Sequence, residues 1–217
     1  MSQTHVLNRP PHIYRLCVVT DRGLARGRSL LDVTAAALKG GATMVQLREK
    51  NATTRAFLEE ARALKALLAP LGVPLIINDR VDIALAVDAD GVHVGQTDMP
   101  VEAVRALVGA EKILGLSITS EAEITRADAL AADYLGVGPA YAQTTKADAS
   151  TPLGVDGFAA LCRKAPQPVM AIGGIDATNA APLAQAGADG VAVVSAIMAA
   201  NDCEAAAREI IRALDRK

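Results

Sequence analysis

The chain has 217 residues, a formal net charge of −2, and 51% hydrophobic residues against only 2% aromatic ones. That length suits one large domain, and the absence of a basic field and of stacking rings excludes nucleic-acid binding. An interior built from Ala, Val, Leu and Ile favours strands buried on both faces, with Ala-rich helices lying close against them.

Met1 to Ile13 has no apolar leader core, and Pro10-Pro11 breaks any helix there. Residues 1–13 therefore read as an N-terminal extension before a single domain, residues 14–217. Leu16 to Thr20 is an apolar, β-branched run ended by Asp21-Arg22-Gly23. Ser29 then caps a helix over Leu30 to Lys39, closed by Gly40-Gly41. The second strand, Ala42 to Leu47, runs into Arg48-Glu49-Lys50. Thr53 or Thr54 starts a helix whose Phe57, Ala61, Leu64, Leu68 and Leu71 form one apolar stripe, stopped by Gly72 and Pro74. Leu75 to Asp79 is a third strand, followed by a short helix around Val81 to Ala86. Gly91 to Val94 is the fourth, with the loop Gly95 to Asp98 behind it and Pro100 leading a helix over Val101 to Val108. Ile113 to Ser117 is the fifth, and Ser120 with Glu123 spells a capping box. Tyr134 to Val137 is the sixth, and the loop after it, Gly138 to Gly154, is the longest in the chain. A helix near Val155 to Lys164 precedes strand seven, Val169 to Ile172, which ends in Gly173-Gly174. Asp176 caps a helix closing at Gly187, Asp189 to Val194 is strand eight, and a last helix covers Cys203 to Leu214.

Strands of this kind, buried on both sides, demand helices all round. Eight strands alternate with helices without a linker, and no G-x-G-x-x-G follows the first. We therefore expect an α/β fold, a single (β/α)8 TIM barrel, in preference to an open doubly wound sheet. Cys17, Cys162 and Cys203 are far apart and odd in number. They read as core thiols in a reducing cytoplasm. No apolar run approaches the roughly 18 residues of a membrane span.

The polar residues are placed one-sidedly. Asp21, Gln46/Arg48/Lys50, Asn78/Asp79, His93/Asp98, Ser117, Thr144/Thr145/Lys146, Gly173/Gly174 and Ser195 all follow the C-terminal ends of strands. In this barrel that face carries the active site, whereas the opposite loops read as mostly Gly, Ala and Pro. Residues two apart in extended chain point the same way, so Gln46, Arg48 and Lys50 form three prongs without a carboxylate partner, Glu49 pointing away. Such a set suits a pyrophosphate. Gly173-Gly174 and Val194-Ser195 offer backbone N–H groups for a second phosphate. Asp79 and Asp98 suit Mg2+, which takes one or two carboxylates plus phosphates and water; the alternative is that they cap the helices at Val81 and Pro100. His93 reads as a hydrogen-bonded structural residue. No zinc cluster and no Ser-His-Asp arrangement stands out.

Six stretches in this order carry a resemblance: Gln46-Leu-Arg-Glu-Lys50, Ile77-Asn-Asp-Arg80, His93-Val-Gly-Gln-Thr-Asp98, Gly136-Val-Gly-Pro139 with Thr145-Lys146-Ala-Asp148, Ala171-Ile-Gly-Gly-Ile175 and Val194-Ser-Ala-Ile197. From Tyr14 to the last helix the chain resembles the thiamine phosphate synthases. The resemblance implies condensation of a hydroxymethylpyrimidine pyrophosphate with a thiazole phosphate, both small-molecule substrates, releasing pyrophosphate. It implies that Gln46, Arg48, Lys50, Asn78, Ser117 and Lys146 bind the pyrimidine pyrophosphate, with Arg48, Lys50, Lys146 and Ser117 acting in catalysis. Asp79 and Asp98 would bind Mg2+, and Gln143, Thr144, Thr145, Gly174, Val194 and Ser195 the thiazole phosphate. Gln143 departs from the family, which usually has Thr there. Two competing readings are a thiazole tautomerase on the same barrel and a non-catalytic barrel that senses a thiamine precursor. A homo-oligomer is left open.

Overall fold

The computed structural model describes residues 10–124, 131–143 and 151–216. Eight parallel strands close into a barrel in sequence order: β1 Leu16–Val19, β2 Met44–Leu47, β3 Leu75–Asn78, β4 Gly91–Val94, β5 Ile113–Ile118, β6 Tyr134–Val137, β7 Val169–Ile172 and β8 Gly190–Val193. Closure is made by β8 against β1, with Leu16 opposite Val191. The TIM barrel expected from the alternation is therefore present.

The two-residue period of each strand sorts its side chains between two cores. Val18, Val45, Leu47, Ile77 and Val92 face outward and pack under the helices. Cys17, Val19, Met44, Ile76, Ile113, Tyr134, Met170 and Ala192 fill the barrel interior. A 3-10 turn, Pro11–Tyr14, brings Tyr14 into this interior. All three thiols are free; burial pushes the Cys17 thiol up to about 12, and burial likewise raises Cys162 to about 12. At neutral pH both stay protonated; Cys17 and Cys203 are buried core thiols as expected, whereas Cys162 is only partly buried against the core.

The helices in chain order are α1 Leu30–Lys39, α2 Thr54–Leu68, α3 Val81–Ala86, α4 Val101–Val108, α5 Glu121–Ile124, α6 Gly154–Cys162, α7 Ala180–Gln185, α8 Ser195–Met198 and α9 Cys203–Leu214. Ser29 and Thr53 cap α1 and α2 through their hydroxyls, as expected. On α2, Phe57, Ala61, Leu64 and Leu68 are buried, and each leucine contributes about 1.5–3 kcal/mol. Leu71 does not join that stripe. Pro70 cannot continue an α-helix, so Ala69–Leu71 turns as 3-10 and leaves Leu71 59% exposed. The capping box is displaced by one residue: the Glu123 carboxylate accepts from the Thr119 N–H and hydroxyl rather than from Ser120. Asp176 caps only a turn, taking the Thr178 N–H and hydroxyl, and α7 begins later, at Ala180. Among the described residues no helix is long and apolar enough to cross a membrane.

The N-terminal face carries more polar structure than the sequence reading allowed. The residue before each even-numbered strand accepts a backbone N–H from the start of the preceding odd strand, the first residue's in three cases and the second's in β5. Thr43 accepts from Leu16 at 3.0 Å, Asp90 from Leu75 at 2.9 Å, Asp133 from Leu114 at 2.8 Å and Asp189 from Val169 at 2.7 Å. Lys65 neutralises Asp90, and Arg105 neutralises Asp133. Polar residues at this end serve stability, not chemistry.

Candidate active site

At the opposite face the end of β2 is tied to β1. The Thr20 N–H donates to the Gln46 carbonyl at 2.9 Å, and the Arg48 N–H donates to the buried Thr20 hydroxyl at 3.0 Å. Gln46 points into the barrel and is only 5% exposed. Glu49 turns outward to Arg22, which also holds Glu60. The three-pronged expectation needs one correction, because the cations do have carboxylate partners. Lys50 pairs with Asp79 at 2.5 Å, and Arg48 stands 4.0 Å from Asp21. Cations gathered at one mouth repel one another, and carboxylates from the neighbouring β1 and β3 loops relieve that repulsion.

Asp79 has a left-handed backbone, φ 61°, a conformation costing about 1–3 kcal/mol away from glycine. Its N–H donates to the His93 carbonyl, which locks the turn. The Asp79 side chain meets that of Asp98 within hydrogen-bond reach, and Asp98 also accepts from the Gly95 N–H at 2.7 Å. Burial, and then the neighbouring Asp79, push the Asp98 carboxyl above its ordinary range, against the pull of the Gly95 N–H and Lys50. Neither aspartate caps a helix: the N-cap residue of α3 is Arg80 and that of α4 is Pro100, and neither helix has a side-chain cap. Two carboxylates pressed together by two loops, one of them in a strained backbone, fit a divalent cation. No group of three or more His, Cys, Asp and Glu is found among the described residues, so a cation here would take its remaining ligands from phosphate and water.

Asn78 ends β3 directly beside His93 of β4. His93 is a hydrogen-bonded residue, as expected, but its partners matter. One ring nitrogen, Nε2, lies 2.9 Å from Ser117 Oγ and the other, Nδ1, lies 2.9 Å from the Tyr134 hydroxyl. The Gln46 side chain lies near that same hydroxyl and pulls its pKa down against the effect of burial. The backbone carbonyl of Ser117 is held by Gln96 at 2.8 Å.

Across the mouth, Gly174 has φ 66°, and a Cβ there would stand 2.4 Å from the Ala142 carbonyl oxygen. Only glycine permits both the turn and the approach. The β7 and β6 loops therefore touch, which sets Gln143, next to Ala142, at the rim beside Gly174. Asn179 braces this corner: it donates to the Gly174 carbonyl, accepts from the Asp176 N–H, and its own carbonyl takes the Tyr141 hydroxyl. Val194 and Ser195 open α8 at the end of β8. Arg28, from the β1 loop, donates to the Met198 and Ala200 carbonyls at the far end of α8. Thr144, Thr145 and Lys146 lie outside the described residues. Tyr134, Asn179 and Arg28 were not singled out from sequence. Tyr134 had one available signal, a rare ring at an inward strand position.

A family model described as thiamine monophosphate synthase matches residues 16–197. The thiamine-phosphate synthase of Chloroflexus aurantiacus is 56% identical over 210 residues, covering 97% of this chain and 94% of that protein. That of Syntrophomonas wolfei is 50% identical over 203 residues, covering 94% and 97%. Among solved structures, thiamine phosphate pyrophosphorylase from Pyrococcus furiosus superposes with a TM-score of 0.86 at 38% identity, covering 94% of this chain and 97% of that one. A 3-hexulose-6-phosphate synthase from Salmonella typhimurium, at TM-score 0.70 and 17% identity, shares the fold.

Proposed function

This chain belongs to the thiamine monophosphate synthase family, and on that premise we propose how its mouth performs the reaction. The enzyme joins 4-amino-2-methyl-5-(diphosphooxymethyl)pyrimidine to a thiazole phosphate, giving thiamine phosphate and pyrophosphate. The bond from the pyrimidine methylene carbon to the diphosphate oxygen breaks, the aminopyrimidine spreads the positive charge left on carbon, and the thiazole nitrogen forms the new bond. No protein nucleophile is needed. The protein must stabilise departing charge and hold two substrates face to face.

The observation that carries the assignment is Lys50 resting on Asp79 beside Asp98, with Arg48 two residues before Lys50 and 4.0 Å from Asp21. Arg48 and Lys50 face the leaving pyrophosphate, and Gln46, Asn78 and Ser117 orient the pyrimidine half. Lys146, assigned by resemblance, adds a third cation. Mg2+, held by Asp79 and Asp98, would supply further neutralisation of diphosphate charge. Gly174, Val194 and Ser195 seat the thiazole phosphate, with Gln143 donating from the rim and Thr144 and Thr145 assigned beside it by resemblance. Three unpaired thiols suit a reducing compartment, and the cytoplasm is the one we assign.

The deciding assay supplies both substrates with and without Mg2+ and follows thiamine phosphate and pyrophosphate. A tautomerase would convert the thiazole alone and release no pyrophosphate, and a sensor would convert neither.

Asp98→Asn separates metal binding from folding. An acid whose folded pKa is raised binds more protons folded than unfolded, so its ionisation weakens the metal-free fold as pH rises through that value. The variant should lose Mg2+-stimulated turnover. In chelator it should melt no lower than wild type at pH 8, with the difference shrinking on acidification. A much lower melting temperature at pH 8 would mean that Asp98 serves chiefly to close the Gly95 loop.

Gln143→Ala removes one neutral donor to a charged phosphate, worth about 1.5–3 kcal/mol. The loss should appear in the KM of the thiazole phosphate and hardly in that of the pyrimidine pyrophosphate. A loss confined to the pyrimidine side would place this loop on the wrong substrate.

A further inference from the structure

Ser117 on β5, assigned to the substrate, is joined through the barrel interior to Tyr134 of β6 by His93 of β4, and Gln46 on β2, also assigned to the substrate, lies near the Tyr134 hydroxyl. The barrel makes room for this column at the expense of its own packing. A Cβ on Gly115 would stand 2.3 Å from the Tyr134 ring and 2.4 Å from His93 Nδ1, and a Cβ on Gly136 would stand 3.1 Å from the His93 ring. Two strand glycines thus replace apolar side chains where the two rings sit, their centroids 5.5 Å apart. Polar groups this deep are kept only when each is satisfied, and a chain of them has a direction.

Two directions are open to the hydrogens. In one, Ser117 donates into the column and presents only lone pairs to the mouth, a poor match for the ring nitrogens of a pyrimidine, which are themselves acceptors. In the other, Ser117 receives from His93 and its own hydrogen is left to point outward. Burial pushes the Tyr134 hydroxyl well above its ordinary range, so it remains a phenol able to donate.

We propose that the column runs from Gln46 to Tyr134 to His93 to Ser117, making Tyr134 and His93 positioning residues that turn the Ser117 hydroxyl into an outward donor for the pyrophosphate-bearing substrate. The Gln46 amide donates to the Tyr134 oxygen, Tyr134 donates to Nδ1, and the Nε2 hydrogen is donated to Ser117. The Gln46 carbonyl is then turned to accept an amino hydrogen from the same substrate. One array therefore sets a donor and an acceptor on opposite sides of the mouth before substrate arrives, and preorganisation of this kind lowers the cost of binding and reaction. The proposal rests on the substrate roles of Ser117 and Gln46 given above.

Tyr134→Phe keeps the ring and removes only the hydroxyl. Nitrogen-15 NMR of the substrate-free protein, which has three histidines, should show His93 protonated at Nε2 and bare at Nδ1 in wild type, and a tautomer mixture in the variant. Its kcat/KM for the pyrimidine pyrophosphate should fall about tenfold with the KM of the thiazole phosphate unchanged. His93→Gln, whose amide reaches the Nε2 position, should keep more activity than His93→Leu. A wild-type His93 protonated at Nδ1 overturns the proposal. So does full activity in Tyr134→Phe while Ser117→Ala is impaired. Full activity in Ser117→Ala overturns instead the substrate role of Ser117, and with it the kinetic half of the proposal; the nitrogen signals alone then judge the column.

Discussion

Lys50→Ala is expected to lower turnover by about 10²–10³-fold, the usual loss when one preorganised donor to developing charge is removed. Its side chain is half-exposed, so the fold should barely register the change. The same variant should need less Mg2+ for half-maximal activity, because Lys50 occupies the Asp79 carboxylate that the metal is expected to use. Those two effects oppose each other, and a residue serving only as the counter-ion of Asp79 would produce the second without the first. Turnover and metal titrations at saturating substrate decide it. Turnover within a few fold of wild type would remove Lys50 from the leaving-group role, and an increased Mg2+ requirement would mean that Lys50 helps to aim Asp79 rather than competing for it.

Much of this architecture was legible because strand burial writes itself into the sequence. Met44 and Gln46 face inward while Val45 and Leu47 face outward, and eight such runs leave few ways to bury both faces. The strand ends gave the mouth, since a parallel barrel sends every loop after a strand to one face. Pairing across that face was not legible. Lys50 meets Asp79 and Arg48 meets Asp21 across separate loops, and a single sequence says nothing about which loop tips touch. The same holds for Tyr134 and His93, each readable as inward-facing but not as neighbours.

Other differences came from local competition. Pro70 outweighed the helical stripe at Leu71, and Thr119 offered Glu123 both an N–H and a hydroxyl where Ser120 had been expected. The opposite face left a trace that was read too blandly. Asp90, Asp133 and Asp189 each stand immediately before a strand, a position where a side chain reaches an N–H at the start of the preceding odd-numbered strand. Asp90 and Asp133 sit in loops that read as mostly Gly, Ala and Pro, and Asp189 reads as the start of strand eight, so the best-anchored charge among them stays hidden.

Asp133→Ala is expected to cost about 3–5 kcal/mol of folding stability, the range for breaking a buried ion pair by removing one partner. Asp133 is 1% exposed and accepts from both Leu114 N–H at 2.8 Å and Arg105 at 2.7 Å. Alanine leaves a strand N–H without its acceptor and a part-buried guanidinium without its counter-charge. Asp90, with a side chain 36% exposed beside Lys65, should cost much less when truncated, since water can take over both roles. Asp133→Asn keeps an acceptor for Leu114 but not the charge, and should fall between. Adding Arg105→Met to it should recover part of the loss, because the stranded cation is then gone. Urea unfolding of the four variants against wild type measures these differences, and kinetics on the folded variants should find both KM values unchanged, the site being at the other end of the barrel. A loss below about 1 kcal/mol in Asp133→Ala would mean that desolvation already cancels the pair and that the N-terminal face is held by packing alone.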